Sequence, residues 1–345
     1  MEHKQKKAVI KKRKIYVPAL MLLLVTFLMI FVFGCGESLQ TTPGDSKDTN
    51  ISVSWSKALR IIQDALMDND PLVRVHAIEV VASTRQLKLM PQVRRLMQDN
   101  YVPVRFATAL AVGDVKYSPA KRSLNRLLKD KDANVIVAAA YAMGKLGSAE
   151  HIQILRKAAT DSNLKVRANA VLLLGKSNDR SSLQLLWNTM QDMSSDDRTV
   201  YQSAEALAML GDRRIFQKLW TMLISAYADV RLMGVRAMGK LKSPEAKNAL
   251  IRMLDDDVLE VRLVAAEQLG LFRDPIGEPK VLEVFEKNLT NRMDLQAVER
   301  TNVLTALAIG QIRTPALKKF LPQMLQNDSK FVRIAAAKAV FQCLK

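Results

Sequence analysis

The chain has 345 residues, of which 49% are hydrophobic and 25% charged, a composition that suits a folded protein large enough for a long array or two domains. Two cysteines exclude a disulfide framework, and three histidines leave little material for a histidine-based metal or catalytic centre. The formal charge of +18 favours anionic partners; the first 14 residues, with seven Lys/Arg and one Glu, carry +6 of it and leave +12 on the remainder.

Residues 1–34 read as an export signal. A basic segment, Met1–Lys14, is followed by an apolar run from Val17 to Phe33 and then by Val32-Phe33-Gly34-Cys35. This ending resembles the lipobox of bacterial lipoproteins, although Phe33 is bulkier than the residue usual there. The resemblance implies that Cys35 is lipidated and becomes the mature N-terminus. The alternative is an uncleaved signal anchor, because a run of this length reaches the lower limit for a membrane span and its basic flank would stay cytoplasmic. Both readings place the rest of the chain outside the cytoplasm, on the bacterial cell membrane or the outer membrane. Residues 35–53 are rich in Gly, Ser, Thr, Asp and Pro and read as the lipidated Cys and a flexible tether with a reach of roughly 20–25 Å.

From residue 54 to 345 a phrase recurs with a period of 31, Val-Arg-(hydrophobic)-x-Ala with a Gly eight residues after the Arg. Arg74, Arg105, Arg167, Arg231, Arg262 and Arg333 carry it intact, and Ile136, Ser203 and Asn302 occupy the Arg position in degenerate copies. A repeat of this length predicts an all-α solenoid of about nine stacked helical pairs, each burying its apolar face against its neighbours. First helices are expected to start at Ser118-Pro119, Ser148-Ala149, Ser243-Pro244 and Thr314-Pro315, where a hydroxyl can accept from first-turn amides. Acidic turns such as Asp68-Asn69-Asp70 and Asp255-Asp256-Asp257 precede the second helices and suit their positive ends. Longer steps mark insertions around 192–197, 273–279 and 290–296, and the terminal repeats replace the Gly with Ala82 and Phe341, as expected of capping units.

The acidic turn, the Val-Arg pair, the Ala and the Leu-Gly ending resemble the HEAT-repeat family, in particular its short phycobilin-lyase type. That resemblance implies a superhelix in which the turn Asp and helix Arg of adjacent units form a half-buried polar ladder. The role would fall on Arg74, Arg105, Arg167, Arg231, Arg262 and Arg333 with their upstream acids.

Function is read from the second helices, expected to line a concave groove. With the Arg at position zero facing the core, positions +2, +5 and +9 should be exposed, selecting Tyr141, Lys145, Asn169, Lys176, Glu205, Met233, Arg236, Lys240 and Glu267. Such a mixed polar groove suits a protein or peptide partner of the cell envelope and suits a small-molecule substrate poorly. His76 is expected to face solvent, and Cys343 to be a small packed hydrophobe. No Gly-x-Ser-x-Gly, phosphate loop, Cys-x-x-Cys or metal-ligand spacing occurs, so no catalytic residue, metal or cofactor is assigned. The second helices lack a basic stripe with interleaved aromatics, which argues against nucleic acid. The reading is therefore a membrane-tethered, non-catalytic scaffold. Its alternatives are a binder of anionic envelope polymers or lipid surfaces, and a lyase-like enzyme or enzyme subunit.

Overall fold

The computed structural model describes residues 47–344, which form helices and turns without a strand among them. Nine helical pairs follow in order. They are α1 (Lys47–Ala65) with α2 (Pro71–Ser83), α3 (Met90–Arg95) with α4 (Val102–Val115), and α5 (Lys121–Leu127) with α6 (Ala133–Lys145). Next come α7 (Ile152–Ala158) with α8 (Leu164–Ser177), α9 (Leu183–Gln191) with α10 (Asp197–Met209), and α11 (Phe216–Leu223) with α12 (Ala228–Leu241). The last are α13 (Pro244–Arg252) with α14 (Leu259–Leu271), α15 (Glu278–Glu286) with α16 (Leu295–Ile312), and the short α17 (Pro315–Lys318) and α18 (Leu321–Met324) with α19 (Lys330–Cys343). The export signal of residues 1–34 and the lipidation site Cys35 lie outside the described residues. Helix α1 begins at Lys47, inside the stretch read as tether, so the helical array starts before residue 54. No helix among the described residues is long and apolar enough to cross a membrane.

After the 19-residue α1 the first helices are short, apolar on one side and exposed on the other, whereas the second helices are buried around most of their circumference. In α8, for instance, every residue from Val166 to Gly175 is buried. Small residues make this crowding possible: a Cβ on Gly175 would lie 2.5 Å from Ala206 Cα, so α8 and α10 touch backbone to backbone. The cap chemistry is partly as expected. Asp70, Asp132 and Asn163 accept from first-turn amides of second helices, and Ser243 accepts from Ala246 N–H. Ser118, Ser148 and Thr314 make no such bond; Asp179, Asp212 and Asp274 cap the openings of three other first helices. A carboxylate two residues upstream reaches the amide that those hydroxyls leave to the backbone.

The array does not remain an open superhelix with capped ends. Each second helix packs on the next from α2 to α19, and α19 then packs on α1 and α2, closing the solenoid into a ring. Nine units per turn correspond to about 40° of rotation per repeat. The seam is a mixed contact. Phe341, fully buried at the position where other repeats carry Gly, meets Trp55 edge to face with centroids 4.8 Å apart. His76 meets Phe331 at 5.4 Å, and Lys330 Nζ lies 2.7 Å from Asp68 Oδ2. His76 is thus a seam residue rather than a solvent-facing one, because the last repeat covers the face of α2 that an open end would expose. Phe341 likewise joins the two ends, where a cap would separate them from water.

Candidate functional site

Chain direction gives the ring two unlike rims. Every first helix runs from the junction with the preceding repeat to the turn that leads into its own second helix. One rim therefore holds the acidic turns and the N-termini of the second helices. The other holds the junctions and the start of α1.

The turn rim is built on the repeat arginines. Arg74 Nε and Nη2 donate to Asp99 Oδ2 and Oδ1 at 2.9 and 3.0 Å, while its Nη1 donates to the Asp68 carbonyl at 2.6 Å. Arg105 repeats the pattern with Asp130 and the Asp99 carbonyl, and Arg231 with Asp256 and the Ser225 carbonyl. The carboxylates thus come from the following repeat and not from the upstream acid, whose contribution is its carbonyl. Each such Asp also turns its own loop, as Asp99 accepts from Tyr101 N–H. Arg167 meets Ser194 and Ser195 instead, because the inserted turn displaces Asp192 to 3.6 Å. Among the described residues, Arg262 and Arg333 bond only to carbonyls of their own turns, the former because the long eighth repeat offers no acid in register.

Closure turns the concave face into a lumen. Of the residues selected for an exposed groove, Tyr141, Asn169, Glu205, Arg236 and Glu267 are buried, and the Lys176 side chain is only 5% exposed. Lys145, Met233 and Lys240 are half-buried. A groove open to a protein partner is therefore corrected to an enclosed interior, since the second helices face one another across the ring. Within it, Asp114 accepts from Tyr141 Oη at 2.5 Å and from Lys176 Nζ at 3.1 Å, and Lys176 lies over the Tyr141 ring. Arg236 Nη1 stands 3.6 Å from Glu267 Oε2. Lys338 on α19 feels both Glu79 on α2 and Glu267 on α14, so the charges are shared across the seam.

Four carboxylates (Glu79, Asp114, Glu205, Glu267) thus share the interior with five cations (Lys145, Lys176, Arg236, Lys240, Lys338). Burial sets their protonation. It pushes the Tyr141 phenol well up, with the Asp114 charge adding to the effect, and raises Glu205 against the pull of Lys240, Arg236 and Lys176. It lowers Lys176 and Lys240, and lowers Lys338 to about 8, in each case against nearby carboxylates.

Asp114, Glu79 and Lys338 were not among the residues selected from the sequence, yet they occupy the same registers. Asp114 is at +9 of the second repeat, and Glu79 and Lys338 are at +5 of the first and last. Beside this network lies a cavity of about 110 Å³ lined by α2, α4, α6, α8 and α10, with Glu79, Asp114, Asn134, Asn169, Lys176 and Arg198 among its polar residues. Among the described residues no group of three or more His, Cys, Asp or Glu could hold a metal ion.

Comparisons with known proteins agree on the repeat. The family described as HEAT repeats matches residues 91–164, 122–208, 157–232 and 217–300. Among curated proteins no relative matches. Similar solved structures include human deoxyhypusine hydroxylase in complex with glycerol, at 18% identity over 76% of this chain and 97% of that one, with a TM-score of 0.37. The CpcE and CpcF complex of phycocyanin lyase from Nostoc gives 18% identity over 72% and 93%, with a TM-score of 0.38. YibA from Escherichia coli gives 17% over 87% and 99%, with a TM-score of 0.34. These are likenesses of fold only. With the repeat, its Arg–Asp ladder and the matched span from residue 91 to 300, the chain belongs to the HEAT-repeat family.

Proposed function

We propose that the protein is a non-catalytic scaffold, held by a lipid on Cys35 at the extracytoplasmic face of a bacterial membrane, that binds an envelope protein through its turn rim. The observation that carries this reading is the distribution of exposed apolar side chains. Seven of the nine large ones (Met67, Tyr101, Leu164, Met193, Ile224, Tyr227 and Leu295) stand on the turn rim, with Met193 98% and Leu295 89% exposed. The last two sit in the inserted segments, and acidic residues such as Asp161, Asp196 and Asp257 surround the set. Apolar tips amid acids fit a partner whose contact face is apolar and basic. Helix α1 starts on the opposite rim, so a tether from Cys35 would leave the turn rim pointing away from the membrane.

The alternative, an anionic envelope polymer or lipid surface as the main ligand, draws on that opposite rim. Arg85, Lys116, Lys242, Arg273 and Arg313 are exposed there, each in the left-handed region. A cation near a helix C-terminus is favoured by the dipole, and together they form a basic crown. In-cell photo-crosslinking with probes at Met193, Ile224 and Leu295, against probes at Arg85, Lys242 and Arg313, separates the two. Capture of one envelope protein by the first set alone is the expected result. Capture of no protein by the first set, with binding to anionic lipid or glycan that falls steeply with salt, would favour the alternative.

A further inference from the structure

The lumen cavity has a chemistry that the scaffold reading does not use. Its polar side is a hydrogen-bonded chain: Arg198 Nη2 donates to Asn169 Oδ1 at 3.3 Å, Asn169 Nδ2 to Asn134 Oδ1 at 2.8 Å, and Asn134 Nδ2 to Asp132 Oδ1 at 3.0 Å. Both asparagines are more than nine-tenths buried. That one long bond is the only described hydrogen bond of the half-buried Arg198 guanidinium; Asp196 acts on its charge from beyond ion-pair distance, and no carboxylate among the described residues pairs with it directly. A half-buried guanidinium with a single long hydrogen bond keeps donors unused, and this one lines a void.

Of the other charges around the cavity, Asp114 at the deep end is matched by Lys176, while Glu79, whose Oε2 makes no hydrogen bond among the described residues, has His76 Nδ1 at 3.4 Å and acts on the charge of Lys338. Exposed Lys165, one turn of α8 before Asn169, stands at the mouth beside Arg198. The mouth lies at the turn rim, where first-turn residues of α4, α6, α8 and α10 (Pro103, Asn134, Lys165 and Arg198) line it, so that positive helix ends border it. The opposite wall is apolar, formed by Val102, Phe106, Leu110 and Leu172.

We infer that this cavity is a binding site for a small organic monocarboxylate with an apolar body, its carboxylate held by Arg198 and Lys165 at the mouth and its body lying against Phe106, Leu110 and Leu172. A cavity of about 110 Å³ that opens at a rim is of the order that takes a single ring, since closed apolar cavities of roughly 150 Å³ accommodate benzene. Asn169 supplies the fixed orientation: its oxygen is held toward Arg198 because its amide nitrogen is committed to Asn134.

The test uses the full chain in detergent with para-fluorophenylacetate as probe, read by fluorine NMR line broadening on titration. The native chain is expected to broaden the probe saturably. Arg198→Gln should weaken binding about tenfold or more, as loss of a charged hydrogen-bond partner does, and Lys165→Glu, on an exposed side chain that folding does not need, should weaken it several-fold. The cationic analogue para-fluorophenethylamine should show no saturable broadening. Absence of saturable binding by the native chain, equal binding by the native chain and Lys165→Glu, or equal binding of the amine would each overturn the assignment. None of these outcomes depends on whether the turn rim captures a protein.

Discussion

At the scale of single residues the protein is organised by charges that are buried in pairs. The ladder arginines differ in partner, and their substitutions should differ accordingly. Arg231→Ala strands Asp256, which is otherwise held by two guanidinium bonds at 2.8 and 2.9 Å, and should lower stability by about 3 kcal/mol. Arg167→Ala leaves serines and a carbonyl unpaired and should cost about 1–3 kcal/mol, and Arg262→Ala, which frees carbonyls alone, should cost less than either. Urea denaturation of the three variants checks the order; equal losses would remove the ladder as a source of stability.

The lumen predicts a pH dependence of the opposite kind. Lys338 is lowered from 10.5 to about 8 by burial, so between those values the unfolded chain holds a proton that the folded chain has lost. Stability therefore rises with pH across that window, being lowest below about pH 8 where the buried lysine must carry its charge. Tyr141, raised by burial, works the other way above its ordinary value of 10.0. The denaturation midpoint should rise from pH 8 to pH 10, and Lys338→Met should flatten that rise. An unchanged slope in the variant would place the effect elsewhere.

At the scale of helices the repeat glycines separate into two kinds that the sequence presents as one. Gly175 lies where α8 touches α10, and an added Cβ would meet Ala206 Cα and Cβ at 2.5 and 2.7 Å. Gly144, near the end of α6, has nothing within 4 Å of the same position. Gly175→Ala should destabilise by about 1–3 kcal/mol, and Gly144→Ala should stabilise by about 0.5 kcal/mol through helix propensity. Thermal unfolding of the two variants should move in opposite directions; movement in the same direction would mean that α8 can shift away from α10. The number of helices, their order and the capping of the second helices by Asp70, Asp132 and Asn163 were legible from periodicity and turn chemistry. Which first helices would be capped by a hydroxyl was not, because Asp179 and Asp212 reach the first-turn amide in repeats where no Ser or Thr was expected to start the helix.

At the scale of the whole molecule the decisive feature is the closure of α19 on α1 and α2. The period of 31 announces stacking but contains no measure of rotation per repeat, so an open groove and a closed ring read alike. The signal that did exist was in the terminal repeats. Glu79 and Lys338 hold the same register with opposite charge, and Phe341 puts a large ring where other repeats have Gly. Tyr141, Asn169, Lys176, Glu205, Arg236 and Glu267 were selected as exposed groove positions and are instead buried, because the second helices enclose an interior once the ends meet.

Closure gathers the charges of the second helices into an interior and leaves the two rims and the outer faces of the first helices as the accessible surface, with the apolar tips on the turn rim. It also makes a contact between residues 262 positions apart, Asp68 and Lys330, at 2.7 Å. Hydrogen bonds from Lys330 and the Asp70 amide hold the Asp68 carboxyl below its ordinary value despite the upward push of burial, and so keep it charged near neutral pH. Zero-length carbodiimide crosslinking of the monomer, followed by peptide mass spectrometry, tests this directly. The Lys247–Asp274 pair at 2.6 Å serves as a control between adjacent repeats. A closed ring predicts an intramolecular Asp68–Lys330 crosslink alongside the control; the control crosslink without it would show that the ends are apart and that the lumen is an open groove.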